Sequence, residues 1–194
     1  MDKIANIKNA IVKNEDDPKV LLVTALDEIA WILNLRGSDI KCNPVFFSYL
    51  IIDFEKEFVT LCIDKEKVAA LESNEAFEAP KGFSIVEYCR IDNVLENFRS
   101  TKCKIAVDTS KCNSKLISIL EDCFVPKNDV VAGLKAAKNK TEQEGMRACN
   151  IRDCAAIMKY FAFLEEELRK EDHGLDEFTG AETVGNYRKQ GDLF

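Results

Sequence analysis

Apolar positions change period several times along the chain, and the changes divide it into elements. Ile4, Ile7, Ala10 and Ile11 recur at helical spacing, so residues 3–13 read as an amphipathic helix. Residues 19–24 form a short apolar run behind Asp16-Asp17-Pro18, as a buried strand does. Residues 26–34 return to the helical period, with Ile29, Ile32 and Leu33 on the apolar side. Two β-rich runs, 46–53 and 57–63, flank Phe54-Glu55-Lys56 and predict an antiparallel hairpin. Residues 65–73 read as a helix with Asp64 as its N-cap. Strand and helix then alternate. Strands are expected at 83–86 and 104–107, helices over 91–98 and 114–120, and a closing strand at 123–125 before Pro126. This alternation predicts an α/β domain over residues 1–138, with helices on both faces of a sheet that the hairpin makes mixed.

After Asn139 the pattern changes. Thr141-Glu142-Gln143-Glu144 fits a capping box opening a long helix that runs to Lys170. Ile151, Cys154, Met158, Phe161, Leu164 and Leu168 mark its apolar face. Gly174 is the expected stop, and a shorter helix follows over 176–190 with Phe178, Val184 and Tyr187 as apolar residues. Residues 139–194 therefore read as a second region. A helix of this length with an apolar face needs a partner: the α/β domain, or the rest of something larger.

Composition narrows the function classes. A hydrophobic content of 46% in 194 residues suffices for one sizeable core. A net charge of −7 does not attract phosphate backbones and argues against nucleic acid as a partner. The eight cysteines include no Cys-x-x-Cys pair, which excludes a zinc ribbon and a thioredoxin-like motif. Reduced, mostly buried thiols in the cytosol are expected. No stretch matches a signal peptide or a bilayer span, so a soluble cytoplasmic protein without a membrane partner is expected.

Catalytic motifs are missing. The single histidine, His173, sits in Glu171-Asp172-His173-Gly174 and reads as a solvated helix-end residue. There is no His-Glu-x-x-His, no Gly-x-Ser-x-Gly elbow and no phosphate-binding glycine loop. A cysteine nucleophile needs a base, and nothing in the sequence places His173 near a thiol. Glu165-Glu166-Glu167 reads as a solvated helix face.

One segment stands apart. Residues 24–40 read as strand, helix and polar turn, and lead through Asn43-Pro44-Val45-Phe46-Phe47-Ser48-Tyr49 into an aromatic strand. The turn Arg36-Gly37-Ser38-Asp39 can be purely structural, with Gly37 permitting a positive φ and Arg36 pairing with Asp39. It can equally point at a substrate in a neighbouring domain, because functional residues favour loops on rigid scaffolds.

The phrase ALDEIAWILNLRGSDI…NPVFFSYLII closely resembles the second domain of the cytosolic three-domain aminopeptidase P family. AAKNKTEQEGMRACNIRDCAAIMKYFAFLEEEL resembles the passage into that family's third domain, and DEFTGAETVGNYRKQ its next helix. The resemblance implies a creatinase/prolidase N-terminal-domain-like fold over 1–138, with 139–194 as the first helices of a truncated pita-bread catalytic domain. It implies a metallopeptidase that removes the residue before an N-terminal proline. Two divalent metals, manganese by the family's habit, would be held by two aspartates, a histidine and two glutamates beyond Phe194. The fragment itself is then expected to bind no metal and to be inactive. The family often has a histidine where Asn150 stands here, and His173 matches none of its functional histidines. By the same resemblance Asn34, Arg36, Gly37 and Asp39 are the substrate-cleft candidates, the partners are peptides with proline second, and the enzyme is a homodimer. Residues 140–194 are expected to be mobile or to self-associate. The rival readings are a non-catalytic interaction module of a pita-bread relative that lost its metals, and a free-standing α/β ligand-binding domain.

Overall fold

A computed structural model describes residues 3–68 and 82–191. The chain forms two compact units, residues 1–137 and 138–194. In the first, helix α1 (Lys3–Ile11) precedes strand β1 (Val20–Val23) and helix α2 (Leu26–Leu33). The hairpin β2 (Ser48–Asp53) and β3 (Phe58–Ile63) follows. Then come β4 (Phe83–Glu87), α3 (Ile91–Ser100), β5 (Ile105–Val107), α4 (Ser114–Leu120), β6 (Phe124–Pro126) and α5 (Val130–Ala136). The six strands form one sheet in the order β4-β3-β2-β1-β5-β6. β1 pairs antiparallel with β2, and β2 with β3, whereas β1–β5, β5–β6 and β3–β4 are parallel. The sheet is mixed, as the hairpin requires.

Each face of the sheet carries its own core. Leu21, Val23, Leu50, Ile52, Leu61 and Ala106 face Ile7 and Ile11 of α1, Ile29 and Leu33 of α2, and Val131 of α5. Their neighbours Val20, Leu22, Ile51, Cys62, Ile105 and Val107 face Ile91 and Leu95 of α3 and Leu116 and Leu120 of α4. The period-2 alternation of a strand thus feeds two apolar layers, which is why the central run Val20-Leu21-Leu22-Val23 is buried throughout. The hairpin turn is closed by buried Asp53, whose Oδ1 accepts from the N–H groups of Glu55 and Lys56 at 3.1 and 2.9 Å.

Several elements depart from the periodicity. The first hairpin strand starts at Ser48 rather than residue 46, because Phe47 gives its N–H to a side chain, that of Asp39. Helix α5 was not expected. It is a single short stretch, Val130–Ala136, that contains Gly133. Of the helix expected over 65–73, the described residues show a 3₁₀ turn at Lys65–Lys67, and residues 69–73 lie outside them. Asp64 does cap it, accepting from the Glu66 N–H at 3.0 Å. Thiols are less buried than expected. All eight cysteines are free, but Cys62 alone is buried, and Cys42, Cys89, Cys149 and Cys154 are exposed.

The second unit is a helical pair, α6 (Lys140–Glu167) and α7 (Glu177–Lys189). The capping box lies two residues upstream of the expected frame. Asn139 accepts from the Glu142 N–H at 2.9 Å, and Glu142 accepts from the Asn139 N–H at 2.8 Å. Asn-x-x-Glu and Thr-x-x-Glu overlap here, asparagine is at least as good an N-cap, and the earlier start adds helical turns. The pair packs through Asp153, Ala156, Tyr160 and Phe163 of α6. Arg188 reaches Asp153 at 2.6 Å, Tyr187 meets Phe163 edge-on, and a Cβ on Gly180 would lie 2.6 Å from the Tyr160 hydroxyl. The expected apolar face of α6 is therefore not the covered one. Ile151, Met158, Phe161 and Leu168 stay between 56% and 72% exposed. Phe178 of α7 is also exposed.

Candidate functional site

The segment after α2 is built by helix termination. Asn34 takes a left-handed conformation (φ 54°, ψ 37°), and the N–H groups of Leu35 and Asn34 return to the carbonyls of Ala30 and Trp31 at 3.0 and 3.4 Å. This is a Schellman stop with asparagine where glycine is commonest, a substitution that its short polar side chain tolerates. Arg36 completes the cap. Its Nη1 donates to the Leu35 and Ala30 carbonyls at 2.7 and 3.3 Å, placing a cation at the negative end of α2.

Gly37 serves a different purpose from the one its type suggested. It does not adopt a positive φ. A Cβ there would stand 2.7 Å from the Phe46 Cβ and 3.0 Å from the Val45 carbonyl, so the position is glycine because two backbone segments touch. The returning segment is held by the Gly37 N–H to the Pro44 carbonyl at 3.4 Å and the Asp39 N–H to the Val45 carbonyl at 3.2 Å.

Asp39 does not pair with Arg36. Its Oδ2 accepts from the Phe47 N–H at 2.6 Å and from the Lys67 ammonium, which also lies 5.8 Å above the Phe47 ring. Burial alone would push this carboxyl up. The Lys67 ammonium and the Phe47 N–H outweigh it and hold the group below the usual carboxylate range. Lys67, on the 3₁₀ turn after β3, was the residue that sequence spacing did not supply. Asn34 and Arg36 are exposed and Gly37 and Asp39 half-buried, so all four lie on one connection at the surface.

A second polar centre lies where β1 and β5 end. The Lys111 ammonium contacts Glu28 at 2.7 Å, Asp108 at 3.0 Å and Asp129 at 3.4 Å. The Thr24 hydroxyl donates to the Lys111 carbonyl at 3.0 Å. Glu28 is almost fully buried. The hydrogen bond from Lys111 to Glu28 raises the lysine further above its ordinary range, against a smaller effect of burial. Asp108 is pushed up by burial, but Ser110, the Asp129 N–H and Lys111 together draw it down to about 2. Open α/β sheets bind ligands at the carboxyl ends of their strands, yet here an ammonium already fills the space between the carboxylates. Among the described residues no group of three His, Cys, Asp or Glu could hold a metal ion. His173 is exposed, and its Nδ1 accepts from the Leu175 N–H at 3.1 Å. Among the described residues no helix is long and apolar enough to cross a membrane.

Comparison with known proteins gives the setting. A family model described as the Creatinase/Prolidase N-terminal domain matches residues 1–142. "Probable Xaa-Pro aminopeptidase P" of Laccaria bicolor is 37% identical over 100% of this chain and 30% of its own length. "Xaa-Pro aminopeptidase 1" of Dictyostelium discoideum is 34% identical over 97% of this chain and 29% of its own. The crystal structure of X-prolyl aminopeptidase from Caenorhabditis elegans, described as a cytosolic enzyme with a di-nuclear active site, superposes with a TM-score of 0.81 at 25% identity. It covers 100% of this chain and 32% of that one. The chain thus spans about a third of the length of these relatives.

Proposed function

The chain belongs to the Creatinase/Prolidase N-terminal domain family, and from that premise we propose that it is the non-catalytic scaffold portion of a metallo-aminopeptidase. That enzyme removes the residue before proline from peptides with proline second. The observation that carries this reading is similarity along essentially the whole chain to proteins named Xaa-Pro aminopeptidase. Residues 1–138 form the α/β domain of the enzyme, and 139–194 open its catalytic domain. The two metals, manganese by resemblance, are held by residues outside the 194 described by this sequence. The enzyme works as a homodimer in the cytoplasm.

Within this reading the loop Asn34–Asp39 faces the substrate cleft. Two features support it. The loop is rigidly tied by backbone hydrogen bonds, which preorganises it at no cost on binding. Arg36 spends only Nη1 on the helix cap, and among the described residues its Nε and Nη2 have no partner. That edge of the guanidinium fits a peptide carboxylate or carbonyl.

The test is immunocapture of the native protein with an antibody raised against this chain, followed by an assay for release of the first residue from a peptide with proline second. A captured species several times larger than 21.9 kDa, with activity lost to a chelator, is the expected result. A captured protein near this mass without activity overturns the proposal.

A further inference from the structure

Two cysteines meet at the end of α3. The helix stops at Ser100, and the chain folds back over its last carbonyls. The Lys102 N–H donates to the Arg99 carbonyl at 2.8 Å, and the Cys103 N–H to the Phe98 carbonyl at 3.2 Å. The Cys123 thiol donates to the same Arg99 carbonyl at 4.0 Å. Cys123 ends a 3₁₀ turn, Glu121–Cys123, that leads into β6. Arg99 ties this turn to α3, its Nη1 reaching Glu121 at 2.6 Å.

Strand register sets the separation. β5 and β6 run parallel with Ile105 opposite Phe124. Continued back by one residue, that register puts Lys104 beside Cys123, with Cys103 one position further on. Paired strands lie about 4.8 Å apart and rise about 3.3 Å per residue, so the two cysteine Cα atoms come to about 6 Å. A disulfide bridges Cα separations of about 4.4–6.8 Å. Cys103 lies against the core that α3 and α4 cover, and the Cys123 thiol points to the end of α3, so both thiols are on one face of the sheet. Both residues are half-buried and both are reduced. Burial holds the Cys103 thiol above its ordinary value, and Asp53 and Cys123 add to this, which makes Cys103 a slow nucleophile at neutral pH.

We propose that Cys103 and Cys123 form a reversible disulfide site whose oxidant is a small-molecule disulfide of the glutathione class. One protein thiolate attacks the small disulfide, expels one small thiol and is left as a mixed disulfide. The neighbouring thiolate then attacks the protein sulfur of that mixed disulfide and expels the second small thiol. The protein loses two electrons and two protons, and one small disulfide becomes two thiols. The new bond closes residues 103–123 into a ring that contains β5, α4 and the Asp108–Lys111 ion pair. It therefore braces this half of the sheet. In a reducing compartment such a bond is transient and registers exposure to oxidant. The site does not depend on the peptidase reading.

The experiment equilibrates the 194-residue chain with oxidised and reduced glutathione, alkylates the remaining thiols and maps the peptides without reduction. A linked Cys103–Cys123 peptide is expected, lost on treatment with dithiothreitol, while the exposed Cys42 and Cys89 carry glutathione or the alkyl group. Oxidation is expected to raise Tm of the α/β unit by roughly 5–10 °C over either serine variant in the same buffer, read by Trp31 fluorescence. Cys103→Ser and Cys123→Ser should each abolish the linked peptide and the rise in Tm, with helix content checked by circular dichroism. Glutathione on both Cys103 and Cys123 without a link overturns the proposal, and the wild-type map reads this whether or not the variants fold. Two free thiols there, in a buffer that loads Cys42, overturn it as well. So does a bond from either residue to a third cysteine. A linked pair with no rise in Tm refutes the bracing.

Discussion

Lys111→Met isolates the energetics of the ion cluster at the end of β1 and β5. The substitution keeps most of the aliphatic stem and removes the ammonium that touches three carboxylates. Glu28 is left 6% exposed at its side chain without its counter-charge, beside Asp108. Breaking a fully buried pair costs about 3–5 kcal/mol. Lys111 is 28% exposed, so water screens part of that loss, and roughly 2–3 kcal/mol is the expected figure. For a unit of this size that lowers Tm by roughly 7–10 °C. The single tryptophan, Trp31, lies on α2 in the same unit, so its fluorescence during urea or thermal unfolding reads this unit and not the helical pair. The double variant Glu28→Gln, Lys111→Met should recover much of the loss, since the most buried of the three carboxylates is then neutral and no longer lacks its counter-charge. The pH dependence gives an independent check. Asp108 is held at about 2 when folded, against 3.8 ordinarily. Its contribution is therefore complete above the ordinary value and lost as pH falls toward 2. The gap between wild type and Lys111→Met should narrow over that window. A loss below about 0.5 kcal/mol at neutral pH, or no recovery in the double variant, would refute the reasoning.

Further outcomes follow from the same geometry. Gly37→Ala should cost about 1–3 kcal/mol, read as a lower urea midpoint, because the new Cβ meets the Phe46 Cβ and the Val45 carbonyl and not a flexible tip. Asp108→Asn should flatten the acid limb of the stability profile between about pH 4 and 2, measured by Trp31 fluorescence at stepped pH. In the metallo-aminopeptidase proposed above, Arg36→Ala should raise KM with little change in kcat. An unchanged KM would leave Arg36 as a helix cap and nothing more. Asp39→Asn should loosen the Phe47 strand start and the Lys67 turn together, seen as faster amide exchange at both, since one carboxylate oxygen serves the two.

Period alone determined most of the α/β unit. The run Val20–Val23, the hairpin, and the helices over 91–100 and 114–120 are legible because burial on one or two sides leaves a local repeat. Termination was partly legible as well: Asp64 announced its cap, though two overlapping frames at residues 139–144 could be separated only by the geometry of the helix actually formed. Tertiary structure decided what no repeat encodes. Asp39 finds Lys67 and not Arg36, and Lys111 finds Glu28, because the folded sheet sets side by side residues that are distant in sequence. Gly37 is fixed by the segment Val45-Phe46 returning over it, and not by its own φ. On α6 the sequence marked one apolar face correctly as apolar, but its two-sided pattern does not say which side α7 takes. That choice fell to Gly180, whose missing side chain lets Tyr160 and α7 close together, and it left Ile151, Met158 and Phe161 in water.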